Sequence, residues 1–245
     1  MNYGILLQSK YLLIEQQDDW AECFFCQWML LTCCENSNKY LIWKCEDEYF
    51  QQVDRQLGDF IEESSLCCRC TCITRRSFSG GLSIGGVQIA TSEVPYKCQT
   101  CNFLTCCCMK PEMRVSLSQN YIGKIVQPYY GPCWGTRNKL CCPIMELQVF
   151  NQSDELAYTI TGKCCQKSVC CLPFQCCGCK IIKYEIRDAS NEFAGTIQNL
   201  YNGYIRECCT RQDKFGITFD NITSPKDKIL LIKATLWLDY LQYQA

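Results

Sequence analysis

Cysteine stands out in this chain, because 26 of its 245 residues are cysteine and none is histidine. A thiol becomes a strong nucleophile when a neighbouring base activates it, and histidine is the usual base. The absence of histidine therefore excludes Cys-His and Ser-His-Asp hydrolase chemistry. It also means that a zinc site has to be built from cysteines, with a carboxylate as the further ligand type.

Several cysteines have the spacing of metal ligands. Cys67 with Cys70 and Cys98 with Cys101 match the pairs of a zinc ribbon. The best candidates for a structural zinc site lie between residues 164 and 179: Cys164, Cys165, Cys170, Cys171, Cys176, Cys177 and Cys179. Some C-x-x-C pairs arise by chance in a chain with 26 cysteines. Free thiols, acylated thiols and zinc thiolates therefore stay open as alternatives.

The overall composition favours an intracellular protein. The net charge of −1 gives no global attraction for nucleic acid, so no nucleic-acid partner is expected. Secreted disulfide scaffolds are usually short and carry a signal peptide, whereas this chain begins without the charged, apolar and cleavage regions of one. No segment reaches the roughly 20 apolar residues that a membrane-spanning helix needs.

The stretch from Ser224 to Tyr243 predicts a helix that fills the interior of the fold. Ser224 can cap it, Pro225 suits its first position, and Asp227 makes a variant of the capping box. Apolar residues cover nearly its whole circumference, which is typical of a helix surrounded by protein or lipid. An apolar run of about 13 residues is short for lipid, so we expect burial in protein. The core of the helix is then Leu230, Leu231, Ala234, Trp237 and Leu238.

Two charged residues interrupt this apolar helix. Lys233 and Asp239 are not three or four residues apart, so they cannot pair along one face. Each therefore needs another partner or an exit to water.

Short alternating segments with turn signals about every 8 to 12 residues predict an antiparallel barrel or sandwich. Tyr49–Phe60 is too polar to assign, and segments 98–129 and 164–199 resemble each other as duplicated hairpins. A sheet that closes on itself loses its edges and needs a filled interior, for which the C-terminal helix is the candidate. The predicted strands are Tyr11–Gln17, Lys39–Cys45, Glu112–Leu117, Gly123–Tyr129, Met145–Asn151, Leu156–Thr161, Lys180–Arg187, Ala194–Asn199 and Gly216–Phe219.

Several of these segments occur in an order typical of one family. They are Leu12–Gln17, Asn38–Tyr40, the cysteines from Cys98 to Cys108, Gly123–Ile125, Gly162–Ile186, Gly195–Arg206 and Asp213–Phe219. The most specific is the Asp-x-Phe-Gly-Ile-x-Phe stretch ahead of the apolar terminal helix. Over roughly residues 11–241 the chain resembles the phospholipid scramblases.

The resemblance implies a mainly β fold, a Tubby-like closed antiparallel barrel of about 12 strands around a central C-terminal helix. It implies an N-terminal extension at residues 1–10, a barrel domain at 11–245 and the central helix at 225–243. It further implies bidirectional, ATP-independent movement of phospholipids at the cytoplasmic face of the plasma membrane or an organelle, rather than covalent catalysis. The proline-rich arm of some members is not expected here, nor is their basic nuclear-import segment, because residues 195–205 hold no Lys or Arg.

The family's acidic calcium segment corresponds to a stretch that has lost most of its acidic residues. Its first, third and last acidic positions are Arg211, Asp213 and Ile222 here, and Asp220 and Asp227 lie nearby. Calcium prefers six to eight oxygen ligands with several carboxylates, so we expect weak binding at best. The candidate residues are Asp213, Phe215, Ile217, Phe219 and Asp220. The alternative is that the apolar ones form a barrel strand.

Two further segments are candidates for contacts with membranes or partners. Cys106, Cys107 and Cys108 correspond to the family's acylated run, and two or more acyl chains such as palmitate anchor a protein stably. The alternative is that these cysteines line the barrel wall. An aromatic cluster, Trp20, Phe24, Phe25 and Trp28, predicts either a docking patch for a protein partner or core packing.

Two functions follow from these observations. The first is phospholipid scrambling at a membrane, with weak calcium dependence as a variant. The second is a non-catalytic structural or membrane-associated module that keeps the scramblase fold. A conventional enzyme is disfavoured, because the chain shows no paired carboxylates, phosphate loop or nucleophile constellation.

Overall fold

The computed structural model describes residues 4–17, 37–64, 77–95, 112–128, 146–162, 181–200 and 213–242. A short helix, α1 (Gly4–Gln8), precedes the first strand, and a long helix, α2 (Pro225–Gln242), follows the last. Between them lie β1 (Tyr11–Gln16), β2 (Lys39–Cys45), β3 (Val53–Glu63), β4 (Phe78–Ile84), β5 (Val87–Val94), β6 (Glu112–Leu117), β7 (Asn120–Val126), β8 (Glu146–Asn151), β9 (Leu156–Gly162), β10 (Ile181–Asp188), β11 (Phe193–Leu200) and β12 (Lys214–Phe219).

The twelve strands of the described chain form a closed antiparallel barrel. Every strand pairs with its neighbours in sequence, and β12 returns to pair with β1, where Ile14 lies opposite Phe215. The prediction of a mainly β, closed antiparallel barrel with a C-terminal helix is therefore confirmed. Closure leaves no unpaired edge among these strands.

The up-and-down order places two kinds of connection at opposite ends of the barrel. At one end, which we call the turn rim, short connections at residues 46–52, 85–86, 118–119, 152–155 and 189–192 join the strands. This end also holds α1, the connection at residues 220–224 and the start of α2 at Pro225. The strand ends at the opposite end, the cysteine rim, flank residues 18–36, 65–76, 96–111, 129–145, 163–180 and 201–212. These six segments contain 25 of the 26 cysteines.

Helix α2 runs through the barrel from the turn rim to the cysteine rim. Its cap is the predicted one, because Ser224 Oγ accepts a hydrogen bond from the Asp227 backbone N–H at 3.4 Å. All side chains from Ile229 to Leu238 are at most 4% exposed. They pack on inward-facing residues of the strands in one core. The predicted helix core residues Leu230, Leu231, Ala234, Trp237 and Leu238 are all buried.

Glycine at position 123 allows the helix to approach the wall closely. A Cβ there would lie 2.2 Å from the Phe150 carbonyl oxygen and 3.2 Å from Leu230 Cδ1. Both distances are below normal contact, so this part of β7 accepts only glycine without a shift of backbone.

The nine predicted strands match observed ones to within a few residues, but β4 and β5 were given no bounds and β3 was missed. In β3, Val53 to Gln56 are all exposed and three of the four are polar, and the pairing with β2 shifts register twice, so the strand lacks a continuous alternation. The buried face begins at Leu57 and includes Phe60 and the polar Glu62. The exposed polar residues and the bulges explain why the sequence pattern did not predict β3.

Helix α1 packs against the base of α2. Leu6 is fully buried in the main core, although its position in sequence is in the predicted N-terminal extension. The ammonium of Lys228 donates to the backbone oxygens of Leu6, at 3.1 Å, and Ser9, at 2.7 Å. These bonds join α2 to the end of α1, where the Leu6 oxygen also accepts from the Ser9 backbone N–H at 3.3 Å.

Candidate functional site

Lys233 lies in the centre of the barrel and is fully buried. Its Nζ donates to the Gly80 carbonyl oxygen and to Ser92 Oγ, each at 3.3 Å. It also lies 4.1 Å from the centroid of the Phe60 ring, within the range of a cation–π contact. Burial holds the pKa of Lys233 well below its usual value, because the charged form loses its hydration. Three consecutive strands thus supply the partners that the sequence left unassigned.

Asp239 is bound at the other end of the helix. Tyr40 on β2 donates its hydroxyl hydrogen to Asp239 Oδ2 at 2.5 Å, and both residues are buried. Burial raises the pKa of Tyr40 well above its ordinary value, and the Asp239 charge adds to the shift. A carboxylate in the last turns of a helix faces the negative end of the helix dipole, so this donor stabilises an otherwise unfavourable charge.

A chain of polar side chains crosses five neighbouring strands, from β11 to β3, at the cysteine rim. Asn199 Nδ2 donates to Asp213 Oδ1 at 3.1 Å, and Gln16 Oε1 accepts from the Asp213 backbone N–H at 3.3 Å. Gln16 Nε2 then donates to Asn38 Oδ1 at 2.8 Å, and Asn38 Nδ2 donates to Glu62 Oε2 at 2.7 Å. This network fixes the strand ends around the end of α2.

Comparison with known proteins identifies the family. The family described as Scramblase matches residues 2–245.

The chain belongs to the Scramblase family.

Relatives of this scramblase-family chain carry the corresponding names. Phospholipid scramblase 1 of Homo sapiens is 28% identical over 245 residues, which cover 98% of this chain and 65% of the relative. Phospholipid scramblase 1 of Rattus norvegicus is 25% identical over 241 residues, covering 98% of this chain and 61% of the relative. Phospholipid scramblase 2 of Homo sapiens is 25% identical, covering 98% and 69%. The chain thus spans less than two thirds of both scramblase 1 relatives, and no solved structure matches it.

The segment that the family resemblance assigns to calcium forms β12. Phe215, Ile217 and Phe219 are buried in the core, as the alternative interpretation predicted. Asp213 lies at the cysteine rim and Asp220 at the turn rim, where its carboxylate is 3.3 Å from Lys10 Nζ. Seven steps of extended chain separate the Cα atoms of Asp213 and Asp220 by about 23 Å. One calcium ion cannot bind both, so these residues do not fit an acidic calcium loop.

The other residues near this segment have different roles. Ile222 is buried, and the Asp227 carboxylate accepts from the Tyr158 hydroxyl at 3.0 Å. Arg211 lies outside the described residues. Among the residues that the structure does describe, no group of three or more metal-ligating side chains is close enough to hold an ion.

The cysteine predictions fall on other parts of the chain. Cys106–Cys108, the seven cysteines between 164 and 179, and the aromatic cluster at Trp20, Phe24, Phe25 and Trp28 all lie outside the described residues. Acylation, structural zinc and a protein partner at these positions stay predictions. Cys45 alone of the cysteines is described: it is a free, buried thiol, and burial raises its pKa to about 11. A buried thiol with a raised pKa packs as a small apolar side chain and is a poor nucleophile.

No helix in the described part of this family member combines the length and apolarity needed to cross a membrane.

Two buried contacts were not predicted from the sequence. Lys228 lies five residues before Lys233, and the sequence suggests a solvated helix residue, yet its ammonium donates to the backbone oxygens of Leu6 and Ser9. Ser92 is a small polar residue in a β segment and becomes a partner of Lys233 only when β5 closes over the helix. The sequence did indicate that Lys233 and Asp239 need other partners, because their spacing excludes a pair between them.

Proposed function

We propose that this chain moves phospholipids in both directions between the leaflets of a membrane, without ATP and without covalent catalysis. The observation that carries the proposal is the match of the Scramblase family to residues 2–245. Relatives named phospholipid scramblase, which align with 98% of the chain, support it. We place the protein at the cytoplasmic face of the plasma membrane or an organelle.

The filled barrel supports a lipid route outside it. Side chains from Ile229 to Leu238 leave at most 4% of their surface exposed, and Gly123 has no room for a methyl group beside Leu230. Taking a hydrated headgroup through this apolar core without matching hydrogen bonds is strongly unfavourable. We therefore propose that lipids cross along the outer surface of the protein, where it perturbs the bilayer, while α2 stays inside.

We propose that this activity does not need calcium at β12. Asp213 and Asp220 lie at opposite rims, so the segment offers no joint set of carboxylate ligands. Chelation is therefore expected to leave the rate unchanged.

Acylation is the proposed anchor. Cys106–Cys108 belong to a segment that begins and ends at the cysteine rim, and two or more thioester-linked chains anchor a protein stably. Anchoring there places this rim towards the membrane. A structural zinc site among the cysteines from Cys164 to Cys179 would brace a neighbouring segment of the same rim.

The test is a scrambling assay with purified protein in liposomes that contain a fluorescent phospholipid. Chemical quenching of the outer leaflet reports how fast inner-leaflet lipid becomes accessible, with calcium and with a chelator. The matched variant is Lys233→Leu with Asp239→Leu, which removes both charges from α2. We expect calcium-independent scrambling in the natural chain and an equal rate in the variant, provided that circular dichroism shows both folded.

Each other result has a defined meaning. Scrambling that requires calcium would overturn the proposal for β12. A large change of rate in the folded variant would overturn the route outside the barrel and favour release of α2. Absence of scrambling from folded, acylated protein would favour the second function, a membrane-associated module that keeps the scramblase fold, which the filled interior also suits.

A further inference from the structure

A second apolar cluster lies on the outer surface of the barrel. Leu12 and Ile14 on β1 belong to the interior core, so Leu13 between them points outward, because successive side chains of a strand alternate between its two faces. Leu13 is nevertheless buried, and it lies opposite Gly216 on β12 and Trp43 on β2. We call this group the outer cluster, and its members are Tyr11, Leu13, Trp43, Cys45, Phe50 and Leu200.

Phe50 reaches the outer cluster from the connection at residues 46–52, which folds back over the wall of the barrel. A Cβ at Gly216 would overlap the Phe50 ring, so this glycine provides the space for the ring. Phe50 has a φ of 57°, a left-handed conformation that is unusual for an aromatic residue. The Asp47 carboxylate accepts hydrogen bonds from two backbone N–H groups of the same connection, at 2.9 and 3.0 Å. These contacts hold an aromatic ring against the outside of β12.

Two exposed apolar side chains extend the outer cluster towards the turn rim. Tyr49, in the same connection, is 70% exposed, and Val53 at the start of β3 is 44% exposed. Val53 lies opposite Cys45 of the outer cluster, and residues directly opposite each other in an antiparallel pair share a face of the sheet. The middle of β8, β9 and β10 forms a polar wall for comparison, with outward residues Glu146, Gln148, Thr159, Thr161, Lys183, Glu185 and Arg187.

Trp43 provides a hydrogen-bond donor within this apolar surface. Its indole N–H is buried, and no acceptor in the described part of the chain lies within hydrogen-bond distance of it. Buried tryptophan N–H groups usually have a partner, because an unsatisfied donor loses its bonds to water without replacement. A ligand that fits the outer cluster should therefore combine an apolar chain with an acceptor oxygen close to that chain.

The charges beside the outer cluster come in pairs of opposite sign. Lys10 Nζ lies 3.3 Å from the Asp220 carboxylate and 5.3 Å from the centroid of the Tyr11 ring. Lys214 Nζ on β12 lies 3.8 Å from the carboxylate of Glu15, its partner residue on β1. Because each pair is neutral overall, a zwitterionic headgroup matches this surface and an anionic one is not required.

We propose that the outer cluster, together with Tyr49 and Val53, is a binding site for a phospholipid. One acyl chain packs on the apolar side chains, and the Trp43 indole N–H donates to an ester carbonyl oxygen, which lies next to the acyl chain in such a lipid. Burial of the chain stabilises the complex through the hydrophobic effect, and the hydrogen bond fixes the position of the ester group. This inference rests on the proposed function and names the sector of the outer surface that the moving lipid contacts.

The test is photolabelling of the full chain, reconstituted in phosphatidylcholine vesicles in which a small fraction of the lipid carries a diazirine in one acyl chain. After irradiation, mass spectrometry locates the label on the chain. We expect labelling of residues 11–13 and 43–53 to exceed labelling of the polar wall, at residues 157–161 and 183–187, by about five-fold or more. Equal labelling of both surfaces would overturn the proposal.

A matched pair of valines tests the apolar contact. Val53→Glu places a charge beside the outer cluster, and Val87→Glu makes the same change at the start of β5, where the side chain is 62% exposed. Both valines are exposed, so circular dichroism should show both variants folded. We expect Val53→Glu to lower labelling of residues 11–13 by about ten-fold and Val87→Glu by less than about two-fold. Equal losses in the two variants would overturn the site.

Trp43→Phe tests the hydrogen bond, because it keeps an apolar ring and removes the donor. The measurement compares two photoactivatable lipids, one with an ester-linked chain and one with an ether-linked chain, which lacks the carbonyl oxygen. We expect the ester lipid to label the natural chain about five-fold more than the ether lipid, and both lipids to label the variant equally. An ester preference that persists in Trp43→Phe would overturn the assignment of the donor.

Three further outcomes separate this inference from the proposed function. Preferential labelling of the outer cluster without scrambling supports the site and counts against the proposed function. Scrambling without preferential labelling of the outer cluster overturns the site and leaves the proposed function intact. A dimer that Val53→Glu dissociates, in the absence of labelling, would overturn the lipid as the occupant in favour of a second copy of the chain.

Discussion

Lys228 and Lys233 lie five residues apart on α2, and both are buried. Lys228 lies at the turn rim, where α1 offers it two backbone oxygens at 2.7 and 3.1 Å. Lys233 lies in the middle of the barrel, where its two hydrogen bonds are both 3.3 Å long. One of them is to the Gly80 carbonyl oxygen, which also accepts a hydrogen bond from Ser92 Oγ. Lys228 therefore joins α2 to the N-terminal segment. Lys233 instead lies among strands whose backbone groups already hydrogen-bond to each other.

This difference teaches where a barrel can accept a buried charge. The Ser9 oxygen lies just beyond the end of a short helix, so the Lys228 ammonium satisfies an acceptor that no N–H of that helix can reach. Carbonyls within a ladder already accept hydrogen bonds, so a cation there gains little and loses its hydration. The pKa of both lysines is lowered by burial, and that of Lys233 is lowered well below its usual value.

The largest expected effect is at Lys228. Lys228→Met removes the charged donor from the Leu6 and Ser9 oxygens and should lower the free energy of unfolding by about 2–3 kcal/mol. Denaturant unfolding measures the loss, and hydrogen exchange should show that protection decreases first in residues 4–9. Lys226→Met, an exposed change on the same helix, is the control and should alter stability by less than about 0.5 kcal/mol. Unchanged exchange in α1 would contradict the anchoring role.

The next effect concerns the other end of the helix. Tyr40→Phe removes the donor from Asp239 Oδ2 and should lower the free energy of unfolding by about 2 kcal/mol, because a buried carboxylate loses a hydrogen bond. Tyr121→Phe is the matched control, since Tyr121 donates to Asp154 at 3.1 Å in an exposed pair. Its loss should be below about 0.5 kcal/mol. Equal losses would show that burial does not strengthen the Tyr40–Asp239 bond.

The strands and α2 could be predicted from the sequence, whereas the partners of the two buried lysines could not. The strand positions and the all-apolar helix follow from local periodicity, because alternation and the helix cap need only neighbouring residues. The pattern left a barrel or a sandwich open, and the closed barrel was implied by the family resemblance. Lys233 was identified as needing a partner, but its partners come from β3, β4 and β5 and depend on closure of the sheet. Lys228 was missed because α1 has no periodic signal of its own, and β3 because its bulges break the alternation.

The opposite sign is expected at Lys233. Lys233→Met should raise the free energy of unfolding by about 1–2 kcal/mol at pH 7, because a buried polar group is replaced by an apolar one of similar shape and Ser92 still donates to Gly80. The pKa of Lys233 is lower in the folded state than in the unfolded state. Between the lowered pKa and the usual value of 10.5, the unfolded chain therefore binds one proton more than the folded chain. The stability of the natural chain therefore rises with pH across this window. The gain from the variant should shrink as pH approaches 10.5, and a loss of stability at pH 7 would reverse the comparison.

The smallest expected effect comes from two turn residues that do not ionise, so it serves as a pH-independent reference for Lys233→Met. Ser118 and Gln119 form the β6–β7 turn with φ of 46° and 73°, whereas the β4–β5 turn at the same rim uses Gly85 and Gly86. Left-handed backbone is strained for glutamine, so Gln119→Gly should raise the free energy of unfolding by about 0.5–1 kcal/mol, and Gly86→Gln should lower it by about 1 kcal/mol. Neither change involves an ionisable group, so both effects should be constant from pH 6 to about 10 in denaturant unfolding. If the gain from Lys233→Met is equally constant, the stabilisation comes from packing alone and Lys233 is not a costly buried amine.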